Sequence, residues 1–390
     1  MKPLKVAIIA GEESGDILGA DLIRALAAQA GQPVDVVGVG GTHLAALGLV
    51  SLFDPARISL MGLTAILARL PSLIPLIRRT ADAIVRERPD VLLLVDSPGF
   101  NLRVARRVRA ADPSIPIVKY VSPSVWAYWP GRARRMKPHV DHVLCLLPFE
   151  PEVLRRLGGP DGTYVGHRLV HDTALQAAAA EQAARGASVR PNGERTLLVL
   201  PGSRRSEVKA LMQPFGRVVS ILHERGNRFE LVIPTVPHVA SLVAEGTRDW
   251  PVRPRLVQGT AEKWGAFGAA DAAIAASGTV SLELALAGVP LIACYRTDVL
   301  VRLLEWQITI WSASLPNIVA DEAVVPEFYD GAIRPPMLAR YLESLMGDED
   351  RRRAMKAGFG RIASAMQTTT PASEIAAGVV LDMIARRSRA

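Results

Sequence analysis

The sequence predicts an α/β protein built from two doubly wound parallel sheets. Short apolar runs of strand length alternate with segments of helical periodicity, the signature of parallel strands joined by crossover helices. The alternation breaks once, between Gly166 and Arg195, and then restarts. A chain of 390 residues also exceeds what one ordinary core accommodates, so two domains are the natural division.

In the first half, Val6–Ala10 is a continuous apolar run and Ile17–Ala30 has helical periodicity. Val34–Val39, Val91–Val95, Ile117–Val121 and Val143–Leu147 continue the series of strands. Ala174–Val189 is Ala-rich and helical, and Arg190-Pro-Asn-Gly-Glu194 is a turn-rich gap. Strand-like runs resume at Thr196–Leu200, Glu230–Ile233, Pro254–Val257, Ala272–Ala276 and Leu291–Tyr295. The expected division is a domain over 1–170, a linker over 171–194, a second domain over 195–350 and a helical segment over 351–390 that could pack back on the first domain. Two such sheets would face each other across a cleft, with ligands beyond the carboxyl ends of the strands.

Composition narrows the class of protein. Apolar residues make up 49% of the chain and charged residues 22%, as in folded proteins. The net charge of +8, carried mostly by Arg, fits nucleic acid, anionic lipid or a phosphorylated substrate. Zinc-finger spacing, an RNP-type aromatic motif and a lysine-rich tail are all missing, so nucleic acid ranks last. The two cysteines, Cys145 and Cys294, each lie in an apolar run, which favours a reduced cytosolic protein over a disulfide-bonded secreted one. Met1–Ala10 does not read as a signal peptide, because its apolar run is short and leads directly into a loop and helix. Ile58–Ile77 is apolar but interrupted by Arg69 and two prolines, a poor spanning helix. It reads either as an ordinary buried helix and loop or as an exposed apolar patch which, with Arg78 and Arg79, would seat the protein on an anionic membrane.

Five strand ends carry candidate chemistry. Asp271–Leu291 reads as a buried strand, a tight turn at Ser277-Gly278-Thr279 and a helix with Glu283 in its opening turns. Turn amides and a helix dipole favour an anion, and the acid suits hydroxyl groups, so the segment fits the ribose diphosphate of a nucleotide. A plain structural strand-to-helix turn fits it as well. Leu200-Pro-Gly-Ser-Arg-Arg-Ser-Glu-Val208 follows another strand, where Ser203 and Arg204 or Arg205 suit a diphosphate. In Gly11-Glu-Glu-Ser-Gly-Asp16 the acids oppose phosphate. Glu12, Ser14 and Asp16 suit hydroxyl recognition, unless Ser14 or Asp16 simply caps the helix. Val95-Asp-Ser-Pro-Gly-Phe-Asn101 places Asp96 at a strand's carboxyl end, where an acid could take a proton from a sugar hydroxyl or merely start an Asx-turn. Tyr120-Val-Ser-Pro-Ser-Val-Trp-Ala-Tyr-Trp129 gathers aromatics before Arg132, Arg134 and Arg135, suiting a sugar ring, an acyl chain or a core cluster. His139, His142 and Cys145 have metal-like spacing, but a strand there sends residues three apart to opposite faces, so no metal site is expected.

In this order, the segments GEESGD at 11–16, SLMG at 59–62, DSPGFN at 96–101, YVSPSVWAY at 120–128, LPFEP at 147–151, VGH at 165–167, LPGSRRSEV at 200–208, SGTVSLELALAGVP at 277–290 and SLPNIVADEAVVPE at 314–327 resemble the lipid-A-disaccharide synthase family. The resemblance runs over most of the chain. It implies a GT-B glycosyltransferase that moves 2,3-diacylglucosamine from its UDP donor to 2,3-diacylglucosamine 1-phosphate with inversion. It implies that Ser203, Arg204, Ser277, Gly278, Thr279, Glu283 and Asn317 hold UDP in the second domain. The acceptor and its lipid would lie against Ser14, Met61, Asn101, Ser122 and Trp126 in the first. Asp96 would be the base, with Asp16 and Glu12 in reserve. Neither cofactor nor metal is implied; a homodimer and a peripheral position on the inner face of the cytoplasmic membrane are. The chain departs from the family at Gly99, where a second acid is common, at Arg168, where Pro is usual, and at Asp330, where Gln is frequent. Two other readings stand beside it: another GT-B enzyme such as a UDP-N-acetylglucosamine 2-epimerase, and a noncatalytic UDP-sugar-binding protein.

Overall fold

The computed structural model describes the backbone of residues 3–58, 63–297 and 308–387, and their side chains apart from those of 63–72. The first half of the chain runs β1 (Leu4–Ala10), α1 (Glu13–Ala30), β2 (Val34–Val39), α2 (Thr42–Ala45), α3 (Leu63–Glu87), β3 (Val91–Val95), α4 (Pro98–Ala111), β4 (Ile117–Tyr120), α5 (Gly131–Met136), β5 (His142–Cys145), α6 (Glu150–Arg156) and β6 (Asp161–Tyr164). After α7 (Thr173–Arg185) the second half runs β7 (Arg195–Leu200), α8 (Arg205–Glu224), β8 (Phe229–Thr235), α9 (Pro237–Gly246), β9 (Arg255–Gln258), α10 (Thr260–Ala269), β10 (Ala272–Ala276), α11 (Thr279–Ala287), β11 (Leu291–Tyr295), α12 (Leu315–Ala320) and β12 (Glu327–Tyr329). Three helices close the chain: α13 (Pro335–Gly347), α14 (Glu349–Met366) and α15 (Ala372–Arg387).

Each half forms a six-stranded sheet, ordered β2-β1-β3-β4-β5-β6 and β12-β11-β10-β7-β8-β9. Every paired strand is parallel. Parallel sheets need cover on both faces, which is why β3, β4 and β10 are buried at every position. In the first sheet, Ile77, Ala81 and Ile84 of α3 and Val104 and Val108 of α4 pack on one face. Leu18, Leu22, Ile23 and Leu26 of α1, with Ala376, Ala377 and Val380 of α15, pack on the other. Strands β6 and β12 escape the sequence reading because they are short edge strands without an apolar run.

The chain forms two compact units, one comprising Met1–Arg168, Gln307–Thr309 and Thr368–Ala390, the other Leu169–Trp306 with Ile310–Gln367. The helical tail is therefore divided. Buried Arg352 ties α14 into the second unit through bonds from Nη1 to the carbonyls of Asp271 (2.6 Å) and Leu345 (3.0 Å). By contrast, α15 packs on α1 of the first unit.

The amino-terminal edge of each sheet is closed by a repeated device. Asp90, Asp141 and Asp271 each stand just before a strand. Each donates its own amide to a residue near the start of the neighbouring strand, Lys5, Ile117 or Thr196, at 2.8 Å in all three cases. The carboxylate then accepts that same residue's amide, at 2.8, 2.7 and 2.7 Å respectively. Asp271 is almost fully buried and also binds Arg185 and Arg190. A buried carboxylate so enclosed holds register at the cost of desolvation, and removing one partner would leave charge unpaired.

Candidate active site

In an open α/β sheet, ligands bind beyond the carboxyl ends of the strands where the strand order reverses. In the first unit that point lies between β1 and β3, and in the second between β7 and β10. The loops leaving these four strands are 11–12, 96–97, 201–204 and 277–278, each within a segment singled out above.

In the second unit, β7 and β10 are paired in register, which sets the Gly202–Arg204 loop beside the Ser277–Thr279 turn. Gly202 has φ +106°, and a Cβ there would run into the Glu207 side chain, so the tight turn requires glycine. Arg204 precedes α8, and its amide and Nη1 reach Glu207 at 3.2 and 2.8 Å. This ion pair is about half exposed at the arginine. Such pairs contribute only about 0–1 kcal/mol, so the guanidinium is free to exchange Glu207 for a diphosphate. The Ser203 carbonyl lies 2.7 Å from His238 Nε2. Thr279 opens α11, whose first amides face the same edge. Glu283, one turn further, meets Lys263 Nζ at 3.0 Å. Lys263 in turn sits 4.1 Å above the Trp264 ring, a placement no sequence signal announced.

The turn is braced from behind. Ser277 Oγ donates to the Ala313 carbonyl (3.0 Å), and the Ala313 amide donates to Glu327 (3.0 Å) and to the Tyr329 hydroxyl (3.0 Å). Glu327 also accepts from Ser312, Tyr329 and Asn317 Nδ2. Burial, with this bond to Glu327, raises the Tyr329 phenol above its ordinary range. Asn317 is buried, and its amide is spent on both backbone groups of Val325 and on Glu327. Asn317 thus braces the turn through Glu327 and Ala313. Asp330 accepts from the Thr297 amide at 3.0 Å.

In the first unit, Asp96 and Ser97 are consecutive non-glycine residues in the left-handed region, with φ +48° and +37°. Such residues cost about 1–3 kcal/mol each and persist only when their surroundings fix them. The Asp96 amide donates to Tyr120 O at 3.1 Å. Its carbonyl accepts from Asn101 Nδ2 (2.9 Å) and Lys119 Nζ (2.7 Å). Asn101 Nδ2 also reaches Val95 O and Ile9 O, so Asn101 belongs to the frame of the loop and not to a ligand face. Among the described residues, no hydrogen bond reaches the Asp96 carboxylate, which stands beside the first turn of α1. A Cβ built on Gly15 would lie 3.7 Å from Asp96 Cβ.

The reserve acids are placed differently. Asp16 is buried, and its two oxygens accept from the amides of Gly41 (2.7 Å), His43 (2.7 Å) and Leu44 (3.3 Å). It caps α2, neither capping α1 nor lying open to a hydroxyl, which corrects its place among the bases. Glu12 is the residue before α1, its carbonyl accepting from the Asp16 amide at 2.8 Å. Ser14 is exposed on α1.

The aromatic segment divides as well. Trp126 Nε1 donates to Glu150 Oε1 at 3.1 Å, and its ring meets Phe149 edge-on at 5.3 Å. Trp126 is thus tied to the 147–151 motif through its indole N–H and one edge of its ring. Ser122 is buried, with its hydroxyl on Pro123 O. Tyr128 is exposed and stacks under Arg132 at 4.3 Å. Thr309 of the same unit bonds the Ala127 and Trp126 carbonyls at 3.0 Å each. Met61 lies outside the described residues. His142 faces Thr163, and among the described residues no group of three His, Cys, Asp or Glu gathers as metal ligands would.

Among the buried ionisable residues that escaped the sequence reading, two lie near this strand end, Lys119 and Glu150. Glu150 is 4% exposed and also accepts from the Leu146 and Leu147 amides at 3.0 Å. Burial pushes its carboxyl up to about 7 against these three donors and Lys119. Neither residue stands out in a list of charges, because only the tertiary fold buries them.

A family model described as Lipid-A-disaccharide synthetase matches residues 6–377. The lipid-A-disaccharide synthase of Rhodopseudomonas palustris (strain HaA2) is 49% identical over 385 residues, 97% of this chain and 96% of that one. That of Bradyrhizobium diazoefficiens is 46% identical over 379 residues, again covering 97% and 96%. The chain therefore belongs to this family of glycosyltransferases. Among solved structures it is similar to the UDP complex of S. aureus MnaA, with a TM-score of 0.61 at 14% identity over 99% of this chain and 97% of that one. The UDP-GlcNAc 2-epimerase of Neisseria meningitidis gives a TM-score of 0.60 at 12% identity over 98% and 100%. At such identities the likeness shows the fold alone, that of the GT-B glycosyltransferases and epimerases.

The raised Glu150 carboxyl gives a pH signature. Between its ordinary value and about 7, the folded protein holds a proton that the unfolded chain has released. Stability from this group is therefore complete at acid pH and lost as pH rises through about 7. Glu150→Gln removes that slope. In denaturant melts, the variant should gain on the wild type between about pH 5 and about pH 8. A difference independent of pH would contradict it.

Proposed function

We propose that this member of the lipid-A-disaccharide synthase family transfers 2,3-diacylglucosamine from UDP-2,3-diacylglucosamine to 2,3-diacylglucosamine 1-phosphate. The products are the β-1,6-linked disaccharide 1-phosphate and UDP. The observation that carries this reading is the pair of switch-point loops: an anion cradle with Arg204 at one, and at the other a carboxylate that no hydrogen bond reaches among the described residues. The match over residues 6–377 supports the choice of substrates.

In this reading the second unit holds UDP. The first-turn amides of α11 and the Arg204 guanidinium take the diphosphate, while Glu283 accepts from the ribose hydroxyls. The first unit holds the acceptor, and Asp96 takes the proton of its 6-hydroxyl as that oxygen attacks the anomeric carbon. The bond from that carbon to the diphosphate breaks in the same step, inverting the centre, and UDP carries the electron pair away. Arg204 and the helix dipole stabilise the charge that develops on the leaving group. A 2-epimerase would share the nucleotide side but has no use for an acylated acceptor, and its kinship with this chain is one of fold alone.

Membrane association extends the reading. A groove of about 620 Å³ lies between α3 and α4, with Ile74, Ile77 and Val85 along it and Arg103, Arg106 and Arg107 at its side. Ile74 is 46% exposed. No described helix is long and apolar enough to cross a membrane. Acylated substrates reside in a bilayer, and an apolar groove edged by guanidinium groups suits the surface of an anionic one.

Three outcomes are expected. Incubating the protein with both acylated sugars should yield disaccharide and UDP together; UDP binding without disaccharide would rule out the transferase, and Asp96→Asn should lower kcat by about 10²–10⁴-fold with UDP affinity intact. Near-normal turnover in Asp96→Asn would remove Asp96 from the role. Glu283→Gln should weaken UDP binding by about 10-fold or more, since a bond to a charged group contributes about 1.5–3 kcal/mol. The same variant should no longer distinguish UDP from its 2′,3′-dideoxy analogue; retained discrimination would place the ribose elsewhere. Vesicles containing phosphatidylglycerol should bind the protein better than purely zwitterionic ones. Replacing Arg106 and Arg107 by Ala should reduce that binding about 30-fold, at about 1 kcal/mol per basic residue. Equal binding by the double variant would refute this surface.

A further inference from the structure

We propose that Lys119 is a positioning residue for the transfer step: with Asn101 it clamps the Asp96 carbonyl and so fixes where the Asp96 carboxylate stands. The inference rests on the assignment of Asp96 as base.

Lys119 lies on β4, paired in register with Leu94 of β3, and its side chain is wholly buried. Its neighbours on β4 are apolar or aromatic, and nothing in such a sheet calls for an ammonium, which is costly to bury unless it is fully bonded. Here it is bonded three times, to Leu94 O (3.2 Å), Asp96 O (2.7 Å) and Tyr120 O (3.0 Å). Those three acceptors use all three of its N–H groups. Tyr120 O is also the acceptor for the Asp96 amide, so Lys119 secures both ends of one residue. What remains unbonded at Asp96, among the described residues, is the side chain, projecting from a left-handed backbone that would relax without these bonds. Lys119 touches neither substrate nor reacting atom; it acts through Asp96.

Two charged groups face the ammonium, Asp96 at the end of β3 and Glu150 on α6, and burial pushes Lys119 down to about 8 against their pull. Once neutral, the amine keeps two N–H groups for three carbonyls. Wild-type kcat should therefore fall as pH rises through about 8. Over that window and up to its ordinary value the unfolded chain binds the extra proton, so the lysine's own contribution to stability rises. Activity and stability thus move in opposite directions, which a merely structural lysine would not produce.

The test is steady-state kinetics of Lys119→Met with both acylated substrates. We expect kcat lower by about 10²-fold, the loss typical of a misplaced reacting group. KM for both substrates and UDP affinity should be unchanged, and the alkaline limb should be absent. In the Asp96→Asn background the same substitution should add no further loss, since both act through one group. Full kcat in a folded Lys119→Met protein, or a loss that adds to that of Asp96→Asn, would overturn the proposal. Should that variant not fold, the wild-type profile decides: a kcat that stays level through pH 8 and beyond overturns it. Absence of disaccharide from the wild type would instead overturn the transferase reading and this proposal with it. Turnover by the wild type with an unaffected variant overturns this proposal alone.

Discussion

A parallel sheet covered on both faces buries its backbone, and the amides and carbonyls left over where a strand begins or ends need partners of their own. This chain meets the demand differently at its two edges. At the amino-terminal edge, Asp90, Asp141 and Asp271 each exchange two hydrogen bonds with the strand beside them. The bond pair locks two strands in register. Asp271 extends the device to Arg185, Arg190 and Arg352, and so draws α7 and α14 onto the second sheet.

At the carboxyl edge the same demand is met by side chains with donors to spare. Lys119 and Asn101 bond carbonyls that the sheet leaves over, while Asn317 and Glu327 hold the loop behind Ser277. Each fully engaged residue frees a neighbour from structural duty. Asp96 and Arg204 are the residues so freed: among the described residues, no hydrogen bond reaches the carboxylate of the first, and the second has an exposed, weak ion pair. The functional edge thus consists of a buried polar layer and, outside it, side chains left available. Strands of the amino-terminal edge could not offer such a place, because their acids are consumed in register.

Much of this was legible in the sequence. Alternating apolar runs gave the two sheets, and the turns after β1, β3, β7 and β10 carried glycine or an acid where a strand end meets a helix. Legibility failed where a residue's role depends on what folds over it. Asp16 sits three residues into a helix-start motif, yet it caps a different helix, 25 residues away in sequence at its nearest partner. Trp126 looked like a ligand platform because its sequence neighbours are aromatic, but its indole N–H is taken by Glu150. Lys119 and Glu150 are ordinary charges in the sequence; only burial makes them unusual. Repeats such as Pro89-Asp90-Val91 and Ala270-Asp271-Ala272, an acid just before a strand, were visible but had no meaning until the neighbouring amide was seen to bond them.

Gly99 poses the sharpest chemical question, since an acid is common there in the family. In this chain it lies in the first turn of α4 and offers only its carbonyl, which Arg103 takes. Of the acids around that strand end, Asp16 and Glu150 have their carboxylates spent on backbone amides. On the proposed reading, proton transfer is the work of Asp96, and its placement becomes more demanding than where two acids share the loop. Holding Asp96 and Ser97 left-handed costs about 2–6 kcal/mol together. A charged hydrogen bond from Lys119 and a neutral one from Asn101 return about 2–4.5 kcal/mol. The two are of the same size, so without Lys119 the remaining bond would no longer offset the strain. The carboxylate is then fixed by an ammonium whose bonds offset that strain, and this is the physical reason to look for the effect of Lys119 in kcat.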